Sequence, residues 1–285
     1  MAAADNAAAL KADERRESLA TLALTAPATL LILAFLVIPV GWLFWLSFID
    51  LDGAYSLENY ERLWVSGAYI TSIATTFKIA FIVTGICVLL GYPVAYLLTQ
   101  VPARVAGLLL ICVLLPYWTS ILVRTYAWLV LLQRNGLINR ALIDLGLVSE
   151  PLALVHNLTG TVIGMVHIML PFLVLPLYAA MRAIPADYVK AAVGMGATPA
   201  RAFRDIFLPL SLPGLLAGML LVFVLCLGFY VTPAVMGGGS VIMIAHRIEK
   251  NVAMFANWGA ASALGVVLLC LTLSCLIVVQ RLVRR

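Results

Sequence analysis

The chain has 285 residues, of which 64% are apolar and only 11% charged, with a formal net charge of +5. Its mean hydropathy of +1.08 excludes a water-facing globular domain over most of the length and points to a polytopic membrane protein. The positive balance requires no nucleic-acid partner, because the spread of basic residues among the interspan loops accounts for it.

A bilayer core about 30 Å thick takes roughly 20 apolar residues per helix. Six stretches of that length are nearly free of charge: 22–48, 73–101, 105–132, 155–181, 213–235 and 261–282. The runs are continuous rather than alternating, so the expected fold is an all-α bundle of six transmembrane helices and not a barrel. Residues 1–20 form an Ala- and charge-rich tail, and the transmembrane domain is expected over 21–285. The first span is too long for a signal peptide: its uncharged run lasts from Ser18 to Ile49, and no small-residue cleavage pattern ends it. Cys87, Cys112, Cys226, Cys270 and Cys275 all fall in apolar runs, lack metal-ligand spacing and read as small buried hydrophobes. No catalytic or metal-binding constellation is evident.

Basic residues next to spans stay on the cytoplasmic side. With the N-terminus inside, Lys11, Arg15, Arg16, Arg104, Arg182, Lys190, Arg201, Arg204, Arg281, Arg284 and Arg285 lie inward, eleven of the eighteen Lys and Arg. Arg62, Arg134, Arg140, Arg247 and Lys250 lie outward, and Lys78 and Arg124 fall within spans. Both termini are therefore expected in the cytoplasm.

Polar side chains within spans are expensive and so are candidates for function. Lys78, near the outer start of the second span, reads as a snorkelling anchor. Arg124 follows Arg104 by about 30 Å of helix, which puts it near the outer interface as either an outer gate or another anchor. His167 reads as one end of an interhelical hydrogen bond rather than a proton relay. Prolines 93, 116, 171, 176 and 233 interrupt spans, as kinks around a pathway or as simple bends in a static bundle. Gly160 with Gly164, and Gly214 with Gly218, offer small faces for close helix contact. None of the six spans contains Asp or Glu. Tyr117, Trp118, Tyr126, Phe229 and Tyr230 offer faces for a cation whose carboxylate partners would come from another subunit, unless these aromatics only form an interfacial belt; with Arg124 they are the candidates for lining a path. The "MGGGS" at 236–240 lacks the lysine of a phosphate loop and reads as a turn.

The most charged interspan segment is 182–211. A helix is expected over 186–195, with Gly196 as a left-handed cap, Thr198 as N-cap and Pro199 at the first position of a second helix. That helix should run to about Phe207, where Pro209 and Pro213 bend the chain back into the membrane. A hairpin with small residues at Ala191, Ala192 and Gly196 suits a groove in another protein.

This segment resembles the cytoplasmic EAA loop of binding-protein-dependent ABC importer permeases, a pattern of Glu-Ala-Ala, three residues, Gly, nine residues, then Ile-x-Leu-Pro. Ala191, Ala192, Gly196, Ile206, Leu208 and Pro209 fall in register, while Lys190 stands where the family carries an acid. Asp187, one turn earlier, is placed to supply the missing negative charge. "ENYERLW", "PYWTSILVRTYAWLVLLQRNGLIN", "IGMVHIMLPFLVLPLY" and "NWGAASALGVVLL" are similar to the first permease subunit of spermidine/putrescine importers. The resemblance implies a type I ABC importer permease fold in a bacterial inner membrane. It also implies a second homologous permease, two cytoplasmic ATPases that use ATP and Mg, and a periplasmic substrate-binding protein. The 182–211 loop would dock into an ATPase cleft. This chain binds no cofactor and hydrolyses nothing in that scheme, consistent with the lack of a G-x-x-x-x-G-K-[ST] phosphate loop. Related permeases serve opines and aminophosphonates. An ion-coupled secondary transporter would need membrane carboxylates and an inverted repeat, and neither is evident.

Overall fold

The computed structural model describes residues 2–283, and Arg284 and Arg285, two of the charges expected to face inward, lie outside them. The described chain is helical: α1 (Ala2–Leu46), α2 (Glu58–Val65), α3 (Gly67–Gln100), α4 (Ala103–Leu114), α5 (Ile121–Leu132), α6 (Leu137–Asp144) and α7 (Leu158–Arg182) make up its first part. α8 (Ala186–Gly194), α9 (Pro199–Ala202), α10 (Leu208–Leu227), α11 (Val231–Met236), α12 (Ile244–Ala253) and α13 (Trp258–Val283) complete it. Among the described residues, five helices are long and apolar enough to cross a membrane, and one bent pair raises the number to six. α1 runs straight through the boundary expected at residue 20 and is exposed along its apolar length.

The core lies where α3, α7 and α10 pack against one another, around Ile79, Met165, Leu173, Val222 and Cys226. Small residues let the backbones approach. A Cβ on Gly218 of α10 would stand 3.1 Å from the Leu173 carbonyl oxygen, and one on Gly91 of α3 would stand 2.7 Å from Leu173 Cδ2. Gly214 faces Ala180 of α7. The expected Gly214 and Gly218 face is thus a real helix seam. Of the other pair, Gly164 packs against Thr232 and Met236 of α11, but Gly160 meets the loop carbonyl of Leu154 rather than a helix.

Three expectations need correction. The third span is not one helix: its halves, Ala103–Trp118 and Ile121–Asp144, meet at 97°. Pro116 ends the α-helical ladder, Leu115–Trp118 tightens to a 3-10 turn, and Thr119 and Ser120 are extended. Thr119 Oγ1 donates to the Pro116 carbonyl at 2.7 Å, giving the interrupted backbone a local partner. The fifth span likewise stops at Leu227, and α11 resumes only after Gly228–Tyr230. Prolines 93, 171, 176 and 213, by contrast, sit inside helices.

The second correction concerns Pro209 and Pro213, which do not turn the chain. Pro199–Leu227 is one helical span of 29 residues. A π turn over Phe203–Phe207 links α9 to α10, with the Leu208 N–H reaching back to the Phe203 carbonyl. Pro209 falls in the first turn of α10, where its missing donor is tolerated. Third, only Cys87 and Cys226 are buried, whereas Cys112 and Cys270 are exposed on their helices.

Candidate functional site

Two regions bring sequence-selected residues together. The first is the 182–211 segment. α8 ends where expected, and Gly196 has φ +92°, a conformation that L side chains rarely adopt. Thr198 Oγ1 accepts from the Arg201 N–H at 3.3 Å, so the N-cap forms, with Pro199 opening α9. Ala192, Gly196 and Ile206 share a groove of about 300 Å³, with Arg201 and Asp205 on its rim. Ala191 and Pro209 are exposed outside that groove, and Leu208 is half-buried at the start of α10. Lys190 pairs with Asp187 at 3.5 Å on the exposed face of α8. It lines a second groove of about 510 Å³ together with Arg182, Tyr96 and Phe203. The family's acidic position therefore opens away from the groove that the small residues form.

An aromatic cluster that sequence reasoning missed fastens this segment to α3. Tyr96 meets Phe203 and Phe207 edge-on, with ring centroids 5.2 Å away in each case, and Phe203 stacks on Phe207 at 5.7 Å. Tyr92 and Ser211 share a hydroxyl hydrogen bond of 2.9 Å. The signal was available: Tyr92 and Tyr96, and Phe203 and Phe207, are each four residues apart and so share helix faces.

The second region is a cavity of about 370 Å³ between α5, α7 and the end of α10, where Tyr117, Arg124, Phe172 and Phe229 converge with Ile168 and Met169. The straight helix assumed in counting from Arg104 to Arg124 is broken between them. The 97° bend turns α5 across the bundle, so Arg124 lies beside Ile168 and Phe172, about midway along α7. Its guanidinium carbon stands 5.6 Å from the Tyr117 ring centroid, and Tyr117 in turn meets Phe172 edge-on at 5.6 Å. The cavity holds no carboxylate, and Arg124 makes no ion pair among the described residues. Its Nε is buried without a hydrogen-bond partner. A cation over an aromatic face gains about 0.5–2 kcal/mol, and a buried unpaired N–H loses about 1–3 kcal/mol. The two act in opposite directions on the same side chain.

Trp118 (89% exposed) and Tyr126 (55% exposed) stay outside the cavity. Tyr230 also stays out, stacked on His246 of α12 at 5.8 Å. Burial, reinforced by the charge of Lys250 and further by that of Arg247, holds the His246 imidazole below its ordinary range, against the opposing pull of Glu249. His167 is satisfied between helices, since Trp128 Nε1 donates to its Nδ1 at 3.0 Å. Lys78 is exposed on α3. The "MGGGS" stretch is a turn, with Ser240 Oγ donating to the His156 carbonyl at 3.1 Å.

Binding-protein-dependent transport system inner membrane component is the family description that matches, over residues 18–285. The chain belongs to that family. It is 32% identical over 238 residues to the spermidine/putrescine transport system permease protein PotB of Haemophilus influenzae, covering 81% of this chain and 83% of that one. Against the Escherichia coli K12 protein of the same name the identity is 33% over 226 residues, covering 76% and 82%. A chain of the crystallised bacterial alginate ABC transporter, in complex with alginate pentasaccharide-bound periplasmic protein, superposes with a TM-score of 0.74 over 96% of both chains. At 20% identity that likeness shows the fold alone. The protein is thus a multi-pass inner-membrane permease subunit of an ABC importer.

Proposed function

We propose that this permease imports a small amine of the spermidine or putrescine class by alternating access. It shares the path with a second homologous permease, receives substrate from a periplasmic binding protein, and is driven by two cytoplasmic ATPases that bind ATP and Mg. Both termini and the 182–211 segment face the cytoplasm in this reading, in keeping with the excess of Lys and Arg there. Asp187, Lys190, Ala191, Ala192, Gly196, Ile206, Leu208 and Pro209 belong to the surface that docks on an ATPase.

One observation carries the coupling role: α9, the π turn and α10 form a single helix leading from the small-residue groove to the core seam at Leu173. A displacement of the loop would reach the spans along this helix, by way of its π turn. The amine class is supported by the names of the relatives and by the aromatic lining of the cavity beside α7.

The test is reconstitution of the four membrane and ATPase subunits in proteoliposomes with the binding protein outside. ATP-dependent accumulation of labelled spermidine or putrescine is expected. Uptake driven by an ion gradient without the ATPases would refute the importer reading. A thermal-shift screen of the binding protein with polyamines, opines and aminophosphonates decides the substrate class, and stabilisation only by the latter two would overturn the amine assignment.

A further inference from the structure

A guanidinium is an odd wall for a passage that carries cations. Arg124 is the cation placed in the aromatic cavity, it lies midway along α7, and no acid accompanies it. Among the described residues it meets the face of Tyr117, 5.6 Å away, while its Nε has no hydrogen-bond partner. An alkylammonium seeks the same kind of surface: an aromatic face with no water between. Side chain and substrate therefore compete for one place. A residue built only to anchor the helix would reach for a lipid phosphate or a carbonyl, but this one turns toward Tyr117, with Phe172 and Phe229 lining the same space.

We propose that this cavity is an organic-ammonium site of the transport path and that Arg124 is its resident cation, a charged plug that must leave the Tyr117 face before an amine can enter. The proposal rests on the amine-import reading and adds what closes the path at rest. With the plug in place, the like charge repels inorganic cations from a passage whose walls are apolar. A diamine delivered at high local concentration by the binding protein replaces one cation on the ring by another, so the exchange leaves the aromatic faces occupied throughout. The unpartnered Nε of Arg124 leaves no hydrogen bond from that atom to break in the exchange.

The test uses the full assembly in proteoliposomes and tetramethylammonium as a passive probe that does not depend on the native substrate. Without ATP, Arg124→Gln should raise tetramethylammonium leak about tenfold, the scale on which a desolvated cation over an aromatic face operates. Arg124→Lys should keep the leak low. Lys78→Ala, an exposed cation on α3 outside the cavity, should leave it unchanged. Adding Phe172→Leu to Arg124→Gln should raise the putrescine concentration giving half-maximal flux by about tenfold. A leak through Arg124→Gln no greater than that of the unaltered chain, in an assembly that co-purifies intact, overturns the plug. Loss of both leak and uptake, with wild-type binding of a labelled phosphonate that Arg124→Gln abolishes, would make the cavity an anion site instead. If the unaltered assembly imports no amine while Arg124→Gln still leaks tetramethylammonium, the substrate assignment fails and the plug stands.

Discussion

Gly196 offers the sharpest test of the docking segment, because sterics and backbone conformation separate there. A Cβ at this position would meet nothing within 4 Å, so a larger side chain has room in the isolated chain. The φ of +92° is the obstacle, since an L residue in a left-handed conformation is disfavoured by about 1–2 kcal/mol. That is a factor of about five to thirty in the population holding the turn. Gly196→Ala should therefore insert and assemble the spans normally yet lower ATP-driven uptake by about that factor. Gly194, two residues earlier, is the control: its Cβ also meets nothing within 4 Å, but it closes α8 with helical geometry, so Gly194→Ala should be neutral. Gly196→Asn, which tolerates the left-handed region better, should recover part of the loss. The assay is initial uptake of labelled substrate in proteoliposomes, alongside co-purification of the ATPases. Full uptake by Gly196→Leu, or equal damage from Gly194→Ala, would refute the reasoning.

Three further outcomes follow from the same coordinates. Lys190→Glu replaces the Asp187 pair by a repulsion between exposed carboxylates, a change of a few tenths of a kcal/mol, and should keep ATPase activity coupled to uptake; loss of coupling would put this position in the docking groove after all. Trp128→Phe removes the donor to His167 Nδ1 and should lower stability in detergent by about 0.6–1.7 kcal/mol without changing the pH profile of uptake. A shifted profile would make His167 a proton carrier. Gly218→Val drives a side chain into the Leu173 carbonyl and should destabilise the bundle by about 1–3 kcal/mol in a thermal-unfolding assay, while an unchanged midpoint would mean that the seam is slack.

The helices around Ile79, Leu173 and Val222 were legible because lipid demands long apolar runs with internally paired backbones, a strong and continuous signal. The breaks were harder to read. Pro116 and Pro171 look alike in sequence, yet the first ends a helix and the second sits within one. What differs is the neighbourhood: after Pro116 the Thr119 N–H and hydroxyl both close on the Pro116 carbonyl, a detail easily taken for loop polarity. The turn chemistry of Gly196, Thr198 and Pro199 was readable because each residue has one physical use there. The staples of the connecting loops were not. Asn139 is fully buried and ties the Gln133 and Leu152 carbonyls together, and Asn59 does the same for Ser47 and Ile49. A lone asparagine gives no periodic signal, since its partners are backbone groups of the neighbouring loop at no fixed spacing. The Arg124 cavity was half visible. Its residue types were identified, but counting rise along a straight helix could not show that Arg124 comes to lie beside Ile168 and Phe172, because the bend lay between the count's two ends.

The unbroken helix from Pro199 has a mechanical corollary. From Ala200 to Gly218 is eighteen residues, or about 27 Å of axial rise, and Gly218 rests on Leu173, the residue next to Phe172 of the cavity wall. The docking groove and the aromatic cavity are thus the two ends of one rod, with its fulcrum at a glycine. A displacement at the groove would reach Leu173 along this helix, by way of the π turn, and change the fit beside Phe172.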